Sequence, residues 1–552
     1  MRNKRRSVRL PVIIALPAIL LLAAAVQDTS RDIVRGFDIL GAVYKNVLSE
    51  YVGDVSAADL FHAGVNGMLK SLDPYAELIE QRENSDVDAL SRGSYGGLGI
   101  KVRTSAGVHY VSDIYPEVRS LTTLRIGDEL LAVDGHDIEK EKISDLRTFL
   151  RGAPGSNVQL VVRRAGVSDS LALVVQRRRI KLNPVPYHAV LEDGMFYLKL
   201  SRFTRSSADS VRNILRRVLA DGEVRGVILD VRDNSGGLLE AAVALVDQFV
   251  SPGTSIVSMR GRHATYSRDY PARETALDED IPVAVLVNNR SASASEIVAG
   301  AFQDLDRAII VGERTFGKGL VQTLVPLPHG TTLKLTTSRY YLPSGRCIQR
   351  FVYENGQAQD AGPQSNTDTY STLVLNRNMK ESIGITPDVL IARDSLPAGL
   401  RCLSDNDGIF RFVTLWNNQH RLKQLPLIDD KMQIRFHHFY DSLASIHGGP
   451  LTKAFQDFKS VAEGFTLNSA TEQELEELEN ALQITERANF EQCWPTILEL
   501  LEQEFTVQIL GERAVIERSL AADDALLKAR ELLADKDAMR SAMLKSHKAD
   551  SY

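Results

Sequence analysis

The chain has 552 residues, a length that accommodates three or four domains. Its 44% apolar and 25% charged residues are ordinary for a globular protein. The net charge of −6 gives no support to a nucleic-acid role, and the three cysteines (Cys347, Cys402, Cys493), odd in number and widely spaced, signal neither a zinc site nor a disulfide framework; at most one bridge could form.

Arg2, Lys4, Arg5, Arg6 and Arg9 precede an uncharged apolar run over 10–27 that ends near Ala23-Ala24-Ala25. A basic segment, an apolar segment and a small-residue exit read as a secretory signal. The run is near the lower limit for spanning a bilayer, so an uncleaved anchor stays open. No cysteine lies near the exit to suggest a lipid anchor, and no second run long enough to span a membrane follows. Residues 28–90 read as helical: Ile33, Phe37, Leu40, Tyr44, Val47 and Leu48 step by three or four. A second helix is expected over 57–72, stopping at Asp73-Pro74. Packing without chemistry is the simplest reading of this segment.

Between 94 and 180 the texture changes to short strands, expected at 108–111, 129–133 and 158–162, with a turn at Asp134-Gly135 and a helix over 143–151. A glycine-rich stretch, Tyr95 to Val102, leads into the first of them. Then come a strand over 195–203 and a helix over 207–219 with Val211, Ile214, Leu215 and Val218 inward. A strand over 226–232, read as buried from its apolar run, follows. It ends in Asp233-Asn234-Ser235-Gly236-Gly237 and feeds a helix over 239–250. A Gly-Gly turn opening a helix presents backbone N–H groups of the kind an oxyanion hole uses, although many strand-to-helix turns look the same.

The next strand, 283–287, leads through Asn288-Asn289-Arg290 into three alternate serines, Ser291, Ser293 and Ser295. A helical stripe follows, formed by Ile297, Val298, Ala301, Phe302 and Leu305, then a strand over 308–311 and the glycine-flanked Lys318. A serine on a strand-to-helix turn can be an exposed nucleophile facing backbone N–H groups, or only a helix cap. Residues 312–318 also fit a phosphate loop, but Gly319 stands where the Mg²⁺-binding Ser or Thr belongs, and 320–325 reads as a strand. No histidine is near. A lysine kept neutral by burial can serve as base. Gln322, four positions on, would share a strand face with Lys318 and could orient its amine.

A strand over 331–341 turns at Pro343-Ser344-Gly345, and the polar run 350–383 reads as a surface insertion. The strand–helix alternation implies an α/β core. Beyond 392 the chain reads as mainly helical, over 451–464, 471–489, 494–504 and 519–539. Glu472, Glu474, Glu476, Glu477 and Glu479 form a solvated helix surface. This extension could pack on the core, mediate assembly or bind a partner.

Ser293, Lys318 and Gln322 together resemble the catalytic set of the C-terminal processing peptidases, the tail-specific serine proteases. In that family the serine lies in a Ser/Ala-rich turn ending in Ser-Glu-Ile, with the lysine 25 positions later, as here. This spacing favours Ser293 over Ser291 and Ser295. The resemblance runs from about 32 to 388 and includes Ser71-Leu72-Asp73-Pro74-Tyr75 and the closing Gly384-Ile385-Thr386-Pro387-Asp388. The stretch Leu124 to Gly135 resembles a PDZ pattern, and Gly96, Gly97, Leu98, Gly99 and Ile100 match its carboxylate-binding loop, with Ile100 where phenylalanine is usual. PDZ domains add a peptide strand to a sheet edge and hold its terminal carboxylate. The Asp-Asn-x-Gly-Gly turn resembles the family's oxyanion turn, with Ser235 where proline is usual. Gly236 or Gly237, with the N–H of Ala294, is then expected to hold the oxyanion.

The implied fold is an α/β, ClpP/crotonase-like protease core (183–392) with an inserted PDZ-like β domain (91–182). A signal or anchor (1–27) and a helical segment (28–90) precede it, and a mainly helical extension (393–552) follows. The implied protein is an exported serine endopeptidase of the periplasm or cell envelope, acting on protein or peptide substrates through free C-terminal tails. Ser293 attacks, neutral Lys318 moves the proton and Gln322 orients it. No metal, nucleotide or other cofactor and no nucleic acid is implied; an adaptor protein and a homo-oligomer stay open. Two other classes compete: a catalytically degenerate PDZ-bearing scaffold, which the intact set argues against, and a crotonase-like acyl-CoA enzyme, which would need neither a PDZ module nor this lysine.

Overall fold

The computed structural model describes residues 12–80, 86–105, 107–138, 143–360, 370–380, 384–392, 396–462, 464–465 and 467–545. The expected signal or anchor therefore lies partly outside the described residues, and from residue 12 only its backbone is described, as the start of helix Val12–Glu50.

The centre of the molecule is a six-stranded sheet. Its order is Tyr187–Val190, Met195–Lys199, Gly226–Asp230, Val283–Val287, Ile309–Gly312 and Val389–Leu390. The first pair is antiparallel and the rest parallel. Gly226–Asp230 and Val283–Val287 are buried throughout, as a parallel sheet covered on both faces requires. Helices Ser207–Ala220, Leu239–Val246 and Ala294–Asp304 cover one face, packing Val211, Leu215, Ala242, Val298 and Phe302 against Leu198, Leu229, Val285 and Val287.

The other face is closed by the C-terminal extension. Helix Asp524–Ala534 sets Leu526, Ala529, Leu532 and Leu533 against Tyr197, Ile228, Ala284 and Leu286. Arg232, at the end of strand Gly226–Asp230, donates to both carboxylate oxygens of Asp523 and to Asp230. The single helix expected over 519–539 is broken. Asp523 accepts from Leu526 N and Asp535 from Asp537 and Ala538 N. Aspartates that bond the backbone ahead of them start a new helix rather than continue the old one. Helices Gly408–His420 and Asp430–His447, missing from the expected set, build a second core around Phe412, Phe436, Phe490 and Leu501.

A second, antiparallel sheet joins Glu77–Ile79, Thr332–Tyr341, Ser255–Gly261 and Arg268–Pro271, with Leu320–Pro326 paired to Thr332–Tyr341. A third comprises Ile100–Ser105, Val108–Ile114, Glu129–Val133, Asn157–Arg163 and Leu171–Gln176, with His136–Asp137 at its side. Helix Ile143–Leu150 packs on it through Leu146, beside Val111, Val133 and Leu160.

Two other expectations are corrected. The N-terminal stripe is not packed: Ile33, Phe37 and Leu40 are exposed, because no other described part of the chain covers them. The polar run 350–383 is not wholly a surface insertion; 361–369 and 381–383 lie outside the described residues. Hairpin Phe351–Glu354 with Gln357–Asp360 is largely exposed, but Thr372, Arg377 and Met379 are buried. Arg377 donates to Asp306 and Asp388. Its charge made the run look solvated, whereas two carboxylates from outside the run satisfy it inside.

Candidate active site

Strand Val283–Val287 ends in a turn that delivers Ser293 to the start of helix Ala294–Asp304. Ser293 has φ +56°, a left-handed conformation that a non-glycine residue adopts only where its surroundings enforce it. The three serines have different surroundings. Ser291 and Ser295 are fully buried: Ser291 Oγ donates to Val231 O, and Ser295 Oγ to Asn234 O. Both tie this turn to the exit of the neighbouring strand. Ser293 alone of the three is partly accessible.

Glu296 lies one helical turn on, fully buried. Its Oε2 accepts from the N–H groups of Ser293 (2.8 Å) and Lys318 (2.9 Å); its Oε1 accepts from Gly317 N (2.7 Å) and Thr315 Oγ1 (2.6 Å). One carboxylate thus fixes the main chain at both Ser293 and Lys318. Tyr340 repeats the tie from the other side, its hydroxyl donating to Lys318 O (2.7 Å) and Ser293 O (3.3 Å). Burial pushes the Glu296 carboxyl up to about 7, against the pull of its four donors. The N–H groups of Gly317 and Lys318, which a phosphate loop would offer, are occupied by this carboxylate.

Lys318 does not lie on the strand with Gln322. It precedes strand Leu320–Pro326, after a turn at Gly317 (φ +90°). Its Nζ nevertheless donates to Gln322 Oε1 at 2.9 Å, and Gln322 Nε2 donates to Thr336 Oγ1 at 3.2 Å. Nζ also sits 4.0 Å from the centre of the Tyr75 ring, and Tyr75 Oη shares a hydrogen bond with Tyr353 Oη. Burial lowers the lysine to about 8, helped by Lys334 and opposed by Asp73 and Glu296. Ser293 Oγ and Lys318 Nζ are not hydrogen-bonded to each other; the structure brings the two residues together through Glu296 and Tyr340.

The glycine turn packs against the serine. A Cβ on Gly236 would lie 2.9 Å from Ser293 Cβ and 3.0 Å from Ala294 N; one on Gly237 would lie 2.1 Å from Phe203 O. Gly236 N is already donated to Asn234 Oδ1. No hydrogen bond engages the N–H groups of Gly237 and Ala294 among the described residues.

The residues matched to a carboxylate loop divide. Gly96 and Gly97 are not in a loop: they lie in strand Ser94–Gly97, paired with Arg178 and Arg179 of Arg178–Lys181. Gly96 runs so close to Gly152 that a Cβ would meet its carbonyl at 2.0 Å, which explains the glycine there. Leu98 and Gly99 (φ +67°) make the turn, and Ile100 starts strand Ile100–Ser105. They border a cleft of about 280 Å³ whose apolar floor includes Leu146 and Leu150.

Sequence reasoning did not single out Glu296, Tyr340, Thr315 or Tyr75. Glu296 carried a signal, since an acid three residues after a helix-capping serine forms the capping-box pattern. Tyr340 and Tyr75 reach the site only through the second sheet.

Comparison with known proteins identifies the family. Residues 194–354 match the model of peptidase family S41, and residues 400–533 match that of the probable PDZ-protease C-terminal helical domain. The carboxy-terminal-processing protease of Bartonella bacilliformis is 35% identical over 328 residues, 58% of this chain and 74% of that protein. The carboxyl-terminal-processing protease of a Synechocystis species is 31% identical over 298 residues, 52% of this chain and 68% of that one. Carboxy-terminal processing protease CtpA of Bacillus subtilis is 27% identical over 358 residues, 63% and 76% respectively. The chain therefore belongs to the carboxy-terminal-processing proteases of peptidase family S41 and is a serine-type peptidase.

Proposed function

We propose that this protease is an exported endopeptidase that works through a Ser293–Lys318 dyad and takes protein substrates by their free C-terminal tails. The observation that carries the dyad is Lys318: a half-buried lysine, lowered to about 8 and bonded to Gln322, on a loop that Glu296 fixes to the serine turn. In its neutral form Nζ accepts the Ser293 hydroxyl proton as Oγ attacks the scissile carbonyl. The tetrahedral oxygen lies against the N–H groups of Gly237 and Ala294. Of the two glycines Gly237 is favoured, since Asn234 already occupies the N–H of Gly236. On collapse the lysine returns the proton to the leaving amine. Water then cleaves the acyl-enzyme with the same base. For the first transfer Nζ swings from the Tyr75 face toward Ser293 while keeping Gln322 within reach.

The sheet of Ile100–Ser105 supplies the tail reader. This strand is the edge of its sheet, paired on one side only to Val108–Ile114 among the described residues. An extended tail can add along it, with the terminal carboxylate at the Leu98–Gly99 turn. The basic residues and apolar run of 2–27 support export.

The test is cleavage of a tagged, unfolded protein by the full chain, with products identified by mass spectrometry. Ser293→Ala and Lys318→Arg should each abolish turnover while the protein stays folded. Cleavage by either variant overturns the dyad. Amidating the substrate's C-terminus should slow its capture below KM; equal rates remove tail reading and leave the dyad standing. Cell fractionation with N-terminal sequencing of the mature protein tests export.

A further inference from the structure

Tyr75 comes to the base from a distant part of the chain, and several independent contacts fix it there. Asp73 Oδ1 accepts from Tyr75 N (2.8 Å) and Ala76 N (3.0 Å), closing the turn that follows helix Ala57–Lys70. Strand Glu77–Ile79 then pairs with Thr332–Tyr341, where Glu77 lies opposite Lys334 and their side chains form an ion pair at 3.3 Å. On the other side stands the hairpin of Phe351–Glu354 with Gln357–Asp360. Its turn presses on the end of the same helix: a Cβ on Gly356 would lie 1.7 Å from Lys70 O. Tyr353 of this hairpin meets the Tyr75 ring edge-on, with centres 5.8 Å apart and planes at 86°, and the two hydroxyls share a hydrogen bond of 3.0 Å. Together these contacts aim one face of the Tyr75 ring at Lys318 Nζ, 4.0 Å from the ring centre.

The two contacts of Nζ, with the ring and with Gln322 Oε1, differ in kind. An amide oxygen accepts an N–H from the ammonium and from the neutral amine alike. A ring face is the negative end of a quadrupole. It attracts an ammonium and has little hold on an amine. The ring therefore responds to the proton, and Gln322 does not.

We propose that Tyr75 is a positioning residue for the base: its ring is a charge-dependent seat that draws Nζ in once it carries the Ser293 proton and releases the neutral amine toward Ser293, with Tyr353 fixing the ring. The proposal rests on Lys318 being the base, as proposed above. The charged groups that face Nζ among the described residues are Asp73 on the N-terminal turn and Glu296 on helix Ala294–Asp304, which favour the ammonium, and Lys334 on strand Thr332–Tyr341, which opposes it. All three are kept in every variant below. Burial and the Tyr353 bond push the Tyr75 phenol up, so it stays neutral across the assay and supplies no titration of its own.

The test is cleavage of a short peptide by the full chain, with kcat and KM measured from about pH 6 to 10. Position 75 carries Tyr, Phe, a trifluorinated phenylalanine or Leu. Tyr75→Phe keeps the face, so the pH midpoint of kcat/KM should stay within about 0.2 of wild type. Tyr75→Leu keeps an apolar cover without the face. The midpoint should fall by about half a unit to one unit, and kcat at high pH by about tenfold with KM little changed. The fluorinated ring has nearly the shape of Phe but a depleted face, and should move the midpoint part of the way to Leu. Because it keeps that shape, it decides the question even if Tyr75→Leu does not fold. A ring that only excluded water would give a different pattern: fluorination would leave the midpoint at the Phe value, and Leu would admit water and raise it. Either result overturns the seat. Tyr75→Phe and Tyr353→Phe should each lower kcat about threefold, and together no further, since both remove one bond; effects that multiply overturn the part given to Tyr353. A wild-type kcat/KM that does not rise with pH removes Lys318 as the base and this proposal with it. A normal rise whose midpoint is the same in the fluorinated and Leu variants leaves the base standing and removes the seat alone.

Discussion

Replacing Glu296 with Gln tests how the two halves of the site are held together. The carboxylate takes two hydrogen bonds at each oxygen: Ser293 N and Lys318 N at one, Gly317 N and Thr315 Oγ1 at the other. An amide offers one oxygen, and its NH₂ must face one of these pairs. Turned toward Thr315, whose hydroxyl can rotate to accept, it still opposes the N–H of Gly317. Turned the other way it opposes two N–H groups. At least one buried backbone N–H loses its partner, at about 1–3 kcal/mol. In the first orientation the loss falls on the main chain at Gly317, next to Lys318, and in the second on Ser293 and Lys318 themselves. Small displacements of reacting groups cost up to about 100-fold in rate, so kcat on a short peptide should fall by about 10- to 100-fold with KM little changed. The lost charge has a second effect with its own sign. Glu296 supports the protonated form of Lys318, as does Asp73, while Lys334 and burial oppose it, and the Tyr75 face lies against the ammonium. Removing the negative charge therefore favours the neutral amine, and the rise of activity with pH should move to lower pH. The assay is kcat and kcat/KM against pH for wild type, Glu296→Gln and Glu296→Asp, with circular dichroism to check folding. Normal kcat and an unmoved pH midpoint in Glu296→Gln would refute this account.

Three further outcomes follow from the same geometry. Ser291→Ala and Ser295→Ala should keep the Ser293 hydroxyl but remove one of the two donors at Val231 O and at Asn234 O, which retain the N–H groups of Asn234 and Ala292, and Ser291→Ala also removes the acceptor of Asn288 N; stability should fall by about 0.5–1.5 kcal/mol in Ser295→Ala and about 1–3 kcal/mol in Ser291→Ala, read as lower melting temperatures, with turnover per folded molecule near wild type, whereas Ser293→Ala should show the reverse. For the wild type, kcat/KM should rise with pH through about 8, since the base must be neutral; a rate constant from pH 6 to 10 would count against Lys318. Asp523→Ala should strip the bidentate partner from Arg232 and leave a partly buried charge short of a partner, lowering thermal stability by about 1–3 kcal/mol; an unchanged melting curve would show that apolar packing alone holds the C-terminal helix.

Local pattern made the catalytic sheet legible. The apolar runs at Val283–Val287 and Gly226–Asp230 have the continuous burial of parallel strands, and a serine on a turn before an apolar helix stands out without a structure. The Lys318–Gln322 hydrogen bond was expected on simple strand alternation, but it forms across a glycine turn. Contacts between distant segments left no such trace. Tyr75 reaches Lys318 because Glu77–Ile79 pairs with Thr332–Tyr341, and no periodicity in the N-terminal segment encodes that pairing. Arg377 looked solvated because its carboxylates, Asp306 and Asp388, lie on either side of the polar run and outside it. Gly96 and Gly97 looked like a loop because glycine marks both turns and close backbone approach, and here the reason is the approach to Gly152.

The closure of the central sheet by helix Asp524–Ala534 also sets an order in time. During synthesis the strand leading to Ser293 is made long before the helix that covers its far side. Until then Ile228, Ala284 and Leu286 have no helical cover on that face, and the sheet is half a sandwich. A nascent chain thus carries Ser293, Lys318 and Gln322 before it has the second layer of that sheet. A chain cut short near residue 510 should therefore be a substrate for other proteases rather than an active one.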